Sequence, residues 1–560
     1  MFKQIIAKIL EKETKLPKGE VDTLIETPPS SEFGDYSFPC FMLANPKNYD
    51  DMWKDVEKDF FTKKNPAEIA SHLKDKIKNN LPKEIEKIET KGPYLNFFVS
   101  KELLAKEIIN INENFGRGKQ NQKVLLEHTS VNPNASPHLG RIRNSVIGDS
   151  IYRILTFLGN KVERHYYVND VSKQIAMLAL VFKPTDKFED LLKKYVDISK
   201  KIEKNPELEK KVFEMLHKFE HKDKQTTQLF KKIVDTAVQG QKKLFSEAGI
   251  EFDYFDYESK YLDESKHILE ELKKTGKTFV DKENRLILDL KDTQLITKMK
   301  SPVIVLTRSD GTGLYITRDL AYTIEKCKKG KNTIVLGEDQ KLYFEQLCET
   351  LKLLNKPCPE VIHYSFVLLQ GIGKMSTRKG ELVLLEEFLD AAEKKANQEI
   401  KKRKTKGDAK KVAIAAVKYS LLRNENNKNM TFNLEESLKF EGNTGPYLQY
   451  TYARASSILR KAKNKKQAVK IPKQLTNKEI ELIVQISKFP DVVINTAKSM
   501  SPHLIATYSY ELAKIFNEFY QNNKVIGSKE EQFRLKLIHS FRIVLKNSLY
   551  LLGIDVMEEM

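Results

Sequence analysis

Residues 124–168 read VLLEHTSVNPNASPHLGRIRNSVIGDSIYRILTFLGNKVERHYYV, and this stretch decides the fold. Residues 124–128 form a short apolar run that is typical of a buried strand. Residues 138–158 carry apolar side chains at the spacing of an amphipathic helix, and Gly159 predicts its C-terminal end. Residues 162–168 predict a second strand. Strand, loop, helix and strand open a doubly wound parallel sheet, so the sequence predicts an α/β, Rossmann-like fold.

The rest of the chain adds elements on both sides of this unit. The pattern predicts a strand at 21–25, a helix at 65–79, a hairpin at 278–290, strands of the main sheet at 303–307, 333–337 and 361–366, and C-terminal helices at 444–461, 477–487, 501–520 and 530–552. Together they predict an α+β domain at 1–115, the Rossmann-like domain at 120–385 with insertions at about 175–230 and 262–302, a helical connector at 386–440 and an all-α bundle at 441–560.

The composition excludes several classes of protein. The 560 residues, 40% of them hydrophobic, suffice for several packed cores, which excludes wholesale disorder. No apolar run approaches the roughly 18–20 residues of a membrane span, and residues 1–10 lack the pattern of a secretory signal. The four cysteines are too few and too scattered for a disulfide framework or a zinc site. We therefore expect a soluble, cytoplasmic protein with reduced cysteines and no bound zinc.

The charge of the chain indicates a polyanionic partner. The 96 Lys and Arg residues against 77 Asp and Glu residues leave a formal net charge of +19, which favours nucleic acid as the partner. Lysine enrichment also arises from compositional drift or on a thermophile's surface, so the charge alone does not decide. The basic run KKRKTKGDAKK at 401–411 is expected to be a solvated surface segment.

Arginine is scarce in this chain, so its positions carry information. Only 15 of the basic residues are arginine. Where lysine is the default, a retained arginine indicates a place that needs the planar five-donor fork of the guanidinium group. The arginines that fall inside motifs are Arg141, Arg143, Arg318, Arg378 and Arg454.

The first motif, NPNASPHLGR at 132–141, lies between the first strand and the helix. A helix N-terminus offers free N–H groups and a partial positive charge, which suit phosphate. Gly140 has no Cβ, so a flat base could lie against the backbone. His138 and Arg141 lie three residues apart on one helix face, where both could donate to phosphate oxygens. Alone, such a His-x-Gly is more often structural, and no Walker pattern is present.

The second motif, GIGKMSTRKG at 371–380, places glycines around three cations and two hydroxyl groups. A loop of this kind can close over a triphosphate. Taken alone, it could also be a mobile basic turn.

In combination the two motifs are far more specific. A strand, a His-x-Gly loop, a helix and a later Lys-Met-Ser loop resemble the class I aminoacyl-tRNA synthetases. Within that class, the segments that resemble the arginyl-tRNA synthetase family, in order, are 127–143, 167–170, 310–319, 374–380 and 443–454. Residues 33–36 resemble that family's extra N-terminal domain, and 551–560 resemble its C-terminus. The resemblance implies that 1–115 binds the tRNA elbow, that 120–385 is catalytic and that 441–560 binds the anticodon.

The resemblance implies a ligase that forms arginyl-adenylate from arginine and ATP and then esterifies the terminal ribose of tRNA-Arg. Positioning and cations can promote this reaction without a protein nucleophile. The implied ATP-binding residues are His138, Gly140, Arg141, Lys374, Met375 and Ser376, with Mg²⁺ accompanying the nucleotide. The implied catalytic residues are His138, Arg141, Lys374, Ser376 and Arg378. Activation is expected to need bound tRNA, and the protein is expected to be a monomer.

The implied arginine-binding residues are Glu127, Asn132, Tyr315, Asp319 and Asp339. A planar guanidinium group calls for carboxylates that accept paired N–H bonds. Asp319 is therefore expected to bind the guanidinium group, with Tyr315 one helical turn before it. Asn132 and Asp339 are expected at the α-amino and carboxylate end. The alternative is that Asp319 is a helix acid paired with Arg318 or a lysine.

The chain departs from the family pattern at two positions. Arg141 stands where the first signature usually has a second histidine, and Arg is longer and always charged. Thr377 stands where the Lys-Met-Ser signature usually has a second lysine, and Arg378 or Lys379 could replace that charge.

The C-terminal helices are expected to bind tRNA-Arg through Tyr447, Tyr450, Arg454 and Met560. Aromatic side chains stack on unpaired bases, and arginine holds phosphates. The alternative for the tyrosines is the core of a helical bundle. Two other functions stay open: a class I synthetase for another amino acid, which Tyr315 and Asp319 argue against, and a non-catalytic tRNA-binding paralogue, which only Arg141 favours.

Overall fold

The computed structural model describes residues 2–16, 19–28, 30–44, 65–134, 136–137, 139–369, 384–404, 406–462 and 469–560. The chain forms two units. The first comprises Met1–Asn112, Ala462–Lys488 and Ile515–Phe541, and the second comprises Glu113–Lys461, Phe489–Lys514 and Arg542–Met560. Within the described ranges, no helix is long and apolar enough to cross a membrane.

The N-terminal part of the first unit combines helices with a small antiparallel sheet. Its elements are α1 (Phe2–Thr14), α2 (Glu20–Leu24), β1 (Tyr36–Pro39), α3 (Phe41–Ala44), α4 (Pro66–Ile77), β2 (Ile85–Lys91), β3 (Tyr94–Val99) and α5 (Lys101–Ile108). The strand order is β1-β3-β2. The predicted helix at 65–79 is confirmed as α4, which Asn65 caps by accepting a hydrogen bond from the N–H of Ala67 at 3.0 Å.

The prediction of a strand at 21–25 is wrong, because residues 21–24 belong to the helix α2 and only Ile25, its C-cap residue, has an extended backbone. Val21 and Ile25 are both buried and lie four residues apart, which is the spacing of one helix face. A five-residue apolar pattern fits the periods of a strand and of a helix alike, so only packing decides between them.

The second unit contains the α/β domain. Its elements in chain order are β4 (Lys123–Glu127), α6 (Leu139–Phe157), β5 (Lys161–Val168), α7 (Lys173–Ala179), α8 (Phe188–Lys204), α9 (Pro206–Glu220), α10 (Lys224–Glu247), β6 (Tyr254–Tyr257), α11 (Leu262–Lys274), β7 (Thr278–Val280), β8 (Leu286–Asp289), β9 (Val303–Val305), α12 (Tyr315–Lys329), β10 (Lys331–Gly337), α13 (Lys341–Leu353), β11 (Glu360–Tyr364) and β12 (Val367–Leu369).

The main sheet confirms the doubly wound fold. Five strands run in the order β11-β10-β4-β5-β6, and every neighbouring pair is parallel. In this register Glu127 faces His165, and Val168 faces Tyr257. The carboxyl ends of β4, β5, β6 and β10 therefore meet at one edge, where open α/β sheets bind their ligands.

The strand predicted at 303–307 does not belong to the main sheet. Val303–Val305 instead pairs antiparallel with Leu286–Asp289, so it completes a three-stranded sheet with the predicted hairpin. The run follows that hairpin closely in the chain, and antiparallel pairing with a near neighbour needs no crossover helix.

The charged insertion predicted at 175–230 is helical, as its composition indicated. The helices α8, α9 and α10 follow one another with short connections, and α10 returns the chain to β6. The remaining elements are α14 (Leu385–Arg403), α15 (Ala409–Leu422), β13 (Met430–Phe432), α16 (Leu434–Ser437), α17 (Gly445–Lys461), α18 (Asn477–Ser487), α19 (Phe489–Ser499), α20 (His503–Asn522) and α21 (Glu531–Leu551). Strand β13 pairs parallel with β12, which the helical pattern did not predict.

The cysteines differ from the sequence-based expectation. Cys348 in α13 and Cys358 in the loop before β11 form a disulfide bond across ten residues of chain. Cys40 and Cys327 are free thiols. The expectation of reduced cysteines was therefore wrong for one pair, because the fold returns the chain after α13 to within bonding reach of Cys348.

Candidate active site

A cavity of about 1260 Å³ opens at the carboxyl ends of the parallel strands in the second unit. Six residues of the predicted site line it, namely Glu127, Asn132, Arg141, Tyr315, Asp319 and Asp339. Gly140 lies in the first turn of α6 but does not line the cavity. The remaining predicted ATP-binding and catalytic residues, His138, Lys374, Met375, Ser376 and Arg378, lie outside the described residues.

The loop after β4 is held in a strained conformation. Thr129 and Ser130 have φ values of 74° and 42°, a region that favours glycine and costs other residues on the order of 1–3 kcal/mol. The N–H of Thr129 donates to Asn144 Oδ1 at 2.6 Å, and Tyr166 Oη donates to the carbonyl of Val131 at 2.9 Å. These bonds offset the strain and fix the direction in which the loop enters the cavity.

Asn132 follows in the same loop and is exposed to solvent. Gln241 in α10 donates through Nε2 to the Asn132 carbonyl oxygen at 3.0 Å. Helix α10, which leads out of the charged insertion, thus supports the loop through Gln241, a role that composition alone did not indicate.

Asp319 is a carboxylate without a basic partner. It lies one turn into α12, and Tyr343 Oη donates to its Oδ2 at 2.6 Å. Within the described ranges, no basic side chain is within ion-pairing distance of it. Burial, and secondly the nearby Glu127 carboxylate, raise the pKa of Asp319 to about 6. A cationic group that entered the cavity here would relieve this cost.

Tyr315 lies beside Asp319 at the start of α12. Its side chain is 54% exposed, and its ring is 5.1 Å from that of Tyr343, measured between centroids. An exposed tyrosine next to a partnerless carboxylate offers both a flat surface and a hydroxyl group to a planar ligand.

The buried carboxylates Glu127 and Glu258 at this end of the cavity are already paired. Lys326 Nζ donates to Glu127 Oε2, and both groups are buried. Arg318 Nε donates to Glu258 Oε1 at 2.6 Å, with both side chains buried. Arg318 therefore does not neutralise Asp319, which removes the alternative that Asp319 is a helix acid paired with its neighbour. The predicted arginine-binding residue Glu127 lines the cavity with its charge already compensated.

Five polar atoms in residues of the cavity wall are buried without a hydrogen-bond partner in the described structure. They are Tyr167 Oη, Asn169 Oδ1, Gln174 Oε1, Glu258 Oε2 and Asn332 Oδ1. Buried polar atoms in proteins are almost always satisfied, so these five indicate that a polar ligand belongs in the cavity. Burial raises the pKa of Glu258 to about 7, against the opposing effect of Arg318.

Gln174 and Glu258 were not among the site residues predicted from the sequence. Segment 167–170 resembled the family without any role for Tyr167 or Asn169. The signal that could have found Asn169 and Glu258 is their place directly after two paired parallel strands, since Val168 faces Tyr257. Residues at this edge of a sheet face the ligand crevice.

Arg141 lies in the first turn of α6 and lines the cavity. It also lies near Tyr364, the last residue of β11. Burial raises the pKa of the Tyr364 phenol, and the positive charge of Arg141 opposes that rise. One turn further along α6, Asn144 Nδ2 donates to the Val335 carbonyl at 2.9 Å and ties the helix to β10. The first turn of α6 thus presents a fixed cation at the cavity.

Arg143 has a different role from Arg141. It is fully buried, and its guanidinium group donates to the carbonyl oxygens of Ser365, Lys428 and Glu425 at 2.7, 2.8 and 2.9 Å. We expected the scarce arginines to use their planar guanidinium fork on ligands. The fork of Arg143 instead joins α6 to two connecting segments and does not face a ligand.

The predicted tRNA-binding residues are partly buried. Tyr450 and Met560 pack against a core that includes Ile400 and Ala409. The Arg454 guanidinium lies 5.2 Å from the centre of the Tyr450 ring, and Tyr447 packs against Tyr510. Each tyrosine therefore combines a packing role with remaining exposed surface.

The described residues contain no group of three or more His, Cys, Asp or Glu side chains that could hold a metal ion.

Comparisons with known proteins match the whole chain. Residues 104–434 match the family model of the class I tRNA synthetase (R) catalytic domain. Residues 448–560 match the DALR anticodon binding domain, and residues 1–99 match the arginyl tRNA synthetase N terminal domain.

Individual relatives agree with these models. The chain is 38% identical to the arginine–tRNA ligase of Methanocaldococcus jannaschii, with 96% of this chain and 95% of that protein covered. It is 35% identical to the arginine–tRNA ligase of Methanosphaera stadtmanae, with 100% and 99% covered. Among solved structures, the arginyl-tRNA synthetase of Thermus thermophilus matches with a TM-score of 0.83 at 26% identity, and each chain is covered completely. The chain belongs to the arginyl-tRNA synthetase family of the class I aminoacyl-tRNA synthetases.

Proposed function

We propose that the cavity binds L-arginine with its guanidinium group against Asp319 and Tyr315, and that the chain uses ATP to join this arginine to tRNA-Arg. As a member of its family the chain is an aminoacyl-tRNA ligase. The assignment of individual residues to arginine, ATP and tRNA is our proposal.

One observation carries the assignment of Asp319. At this end of the cavity Glu127 and Glu258 each have a basic partner, whereas Asp319 has none among the described residues. Carboxylates are seldom left unpaired when buried, because the lost solvation is not repaid. A guanidinium group would supply the missing charge and two parallel N–H donors.

Further donors of the guanidinium group find acceptors nearby. Glu258 Oε2 and Asn169 Oδ1 lack partners in the described structure, and they follow neighbouring strands in register. The guanidinium group has five N–H donors, so one carboxylate cannot satisfy it alone. Lysine presents a compact ammonium group and would leave some of these acceptors unpaired, which predicts steep rejection of lysine.

ATP is proposed to bind on the Arg141 side of the cavity. Arg141 would hold phosphate oxygens from the first turn of α6, where the helix N-terminus adds a favourable partial charge. His138, Lys374, Met375, Ser376 and Arg378 complete the proposed phosphate and adenine contacts by resemblance to the family. Because the charge that develops on the phosphates is met by fixed cations, no protein nucleophile is required.

The amino-acid end of arginine is proposed to meet Asn132 and Asp339, which both line the cavity. The α-carboxylate must face the α-phosphorus for in-line attack, so these residues would set the angle of approach. We keep a cytoplasmic monomer as the proposed working form.

The test of Asp319 compares Asp319→Asn with Glu325→Gln. Glu325 lies on the same helix, pairs with Lys329 and does not line the cavity, so its variant is a matched control. We expect Asp319→Asn to lower kcat/KM for arginine about 10²–10³-fold, mostly through KM, because a charge-assisted bidentate contact is lost. Wild-type arginine kinetics in Asp319→Asn would refute the assignment.

Activation is proposed to require bound tRNA, as the family resemblance implies. The expected result is that arginine-dependent exchange of pyrophosphate into ATP is slow without tRNA-Arg and rises at least tenfold when tRNA-Arg is added. Exchange at the full rate without tRNA would refute this part of the proposal and leave the arginine site unaffected.

A further inference from the structure

The basic segment, defined as residues 401–404 and 406–411, lies against the C-terminal end of the chain. Ile400 and Ala409 flank its exposed part and share one core with Met557, against which Met560 packs. Lys411 Nζ is 3.7 Å from Asp555 Oδ2.

A second contact joins the segment to α17, the helix of Tyr447 and Tyr450. Gln449 Nε2 donates to the Lys411 carbonyl at 3.3 Å and to the Asp555 carbonyl at 2.8 Å. This buried side chain therefore fixes the end of the basic segment against α17 within the second unit.

Within the described structure, Arg403 pairs with Glu399 and Lys411 with Asp555, and the other charges of the basic segment are not neutralised. It holds seven basic residues and one acid, Asp408. The Asp408 carboxylate is engaged in capping α15, where it accepts hydrogen bonds from the N–H groups of Lys410 and Lys411 at 3.0 and 3.2 Å. The five exposed lysines for which the described chain provides no acidic partner are Lys401, Lys402, Lys404, Lys406 and Lys410.

Helix stability explains only part of this charge. Lys401 and Lys402 lie in the last turn of α14, where cations favour the helix dipole. Lys404 is the C-cap residue of the same helix, Lys406 lies beyond it, and Lys410 lies in the first turn of α15, where a cation opposes the dipole. A run of cations that the fold does not need indicates an anionic partner.

We propose that the basic segment binds the phosphate backbone of an RNA duplex, the tRNA stem that adjoins the anticodon. The segment borders the region 448–560, which matches an anticodon binding domain. A duplex stem presents closely spaced phosphates that exposed lysines can contact without reading bases. This inference rests on the proposed function, since it takes tRNA to be the substrate.

The test removes four charges by Lys401→Gln, Lys402→Gln, Lys404→Gln and Lys406→Gln in one full-length variant. Glutamine retains length and helix propensity. We expect the Kd for tRNA-Arg to rise at least tenfold at about 0.1 M salt, and the slope of log Kd against log salt to fall by about 2–4, at about 0.9 per phosphate contact. The arginine KM at saturating tRNA should stay within twofold of the wild-type value.

A matched control removes four lysines elsewhere by Lys224→Gln, Lys231→Gln, Lys232→Gln and Lys243→Gln. These α10 residues are exposed, and the described structure shows no acidic partner for them. Both variants lose the same net charge, so an equal effect in both would overturn the inference in favour of overall electrostatic attraction. Replacing the same four residues of the basic segment by arginine should preserve tRNA affinity, and a loss there would overturn it as well.

Competition with tRNA fragments locates the contact. An anticodon stem-loop should compete at least tenfold less well for the glutamine variant than for the wild type, and an acceptor-stem minihelix should compete equally for both. Equal competition by the stem-loop for the glutamine variant and the wild type would overturn the inference. The proposed function would still stand if the wild type charged tRNA-Arg. If the wild type charged no tRNA, the proposed function would fail first.

Discussion

At the scale of single residues, the site is defined by which charges are paired. Sequence reasoning selected Asp319 among many acids because its motif resembled a known family. It did not foresee that Lys326 would compensate Glu127 or that Arg318 would pair with Glu258. Those pairs join residues 60 to 199 positions apart in the chain, and no local pattern encodes them. These ion pairs form because α12 packs against the ends of the strands.

In the protein without bound arginine, the ionised Asp319 carboxylate should lower the free energy of unfolding. Its pKa is raised from 3.8 to about 6, so the folded state binds the proton more tightly than the unfolded state does. The free energy of unfolding should therefore fall as pH rises from about 4 to about 6 and stay lower above that range. We expect Asp319→Asn to raise the free energy of unfolding at pH 7.5 by about 1–3 kcal/mol. Urea unfolding of both proteins without arginine checks this, and a destabilised variant at that pH would contradict it.

The same carboxyl group should govern arginine binding as a function of pH. Below pH 6 Asp319 becomes protonated and no longer offers a charge to the guanidinium group. The arginine KM of the wild type should rise as pH falls from about 7 to 5, and the already high KM of Asp319→Asn should change little over that range. Parallel pH profiles in the two proteins would rule Asp319 out as the titrating group.

Arg141 should make the ATP step insensitive to pH near neutrality. Arginine keeps its charge, whereas histidine titrates near pH 6.5. We expect Arg141→His to charge tRNA well at pH 6 and to show a rising ATP KM above about pH 7. The wild-type ATP KM should stay flat across that range. Identical profiles would mean that the charge at position 141 does not act on the nucleotide.

At the scale of elements, long patterns were predicted well and short ones poorly. The β4–α6–β5 unit and the helix α4 carry strong periodicity and caps, and the structure confirms them. The strands predicted at 21–25 (VDTLI) and 303–307 (VIVLT) are only five residues long each, and the state of such short segments depends on neighbours distant in space. Strand β13 is three residues long and is recognisable only through its pairing with β12.

The Cys348–Cys358 bond should stabilise the connection between α13 and β11. Closing a loop across ten residues restricts the unfolded chain by about 2–3 kcal/mol. We expect dithiothreitol to lower the free energy of unfolding by this amount in the wild type and to have no effect on the double variant Cys348→Ser, Cys358→Ser. Equal denaturant midpoints for the wild type with and without reductant would show that the bond contributes nothing.

At the scale of the whole molecule, charge and motif order carried the functional prediction. The net charge of +19 indicated a polyanion, and five motif segments in fixed order indicated the family, which the full-length matches confirm. The predicted division at 1–115, 120–385, 386–440 and 441–560 stays a prediction. The order of the motifs can be read directly from the sequence. The pairing of buried charges cannot, because it forms only when the chain folds.

The most direct measurement of the arginine assignment is aminoacylation of tRNA-Arg with each of the twenty amino acids offered singly, using the wild type and Asp319→Asn. We predict that the wild type attaches arginine alone, that lysine is rejected at least ~10³-fold in kcat/KM, and that Asp319→Asn attaches arginine with a kcat/KM about 10²–10³-fold lower than the wild-type value. Attachment of another amino acid by the wild type, or full arginine attachment by Asp319→Asn, would contradict that assignment.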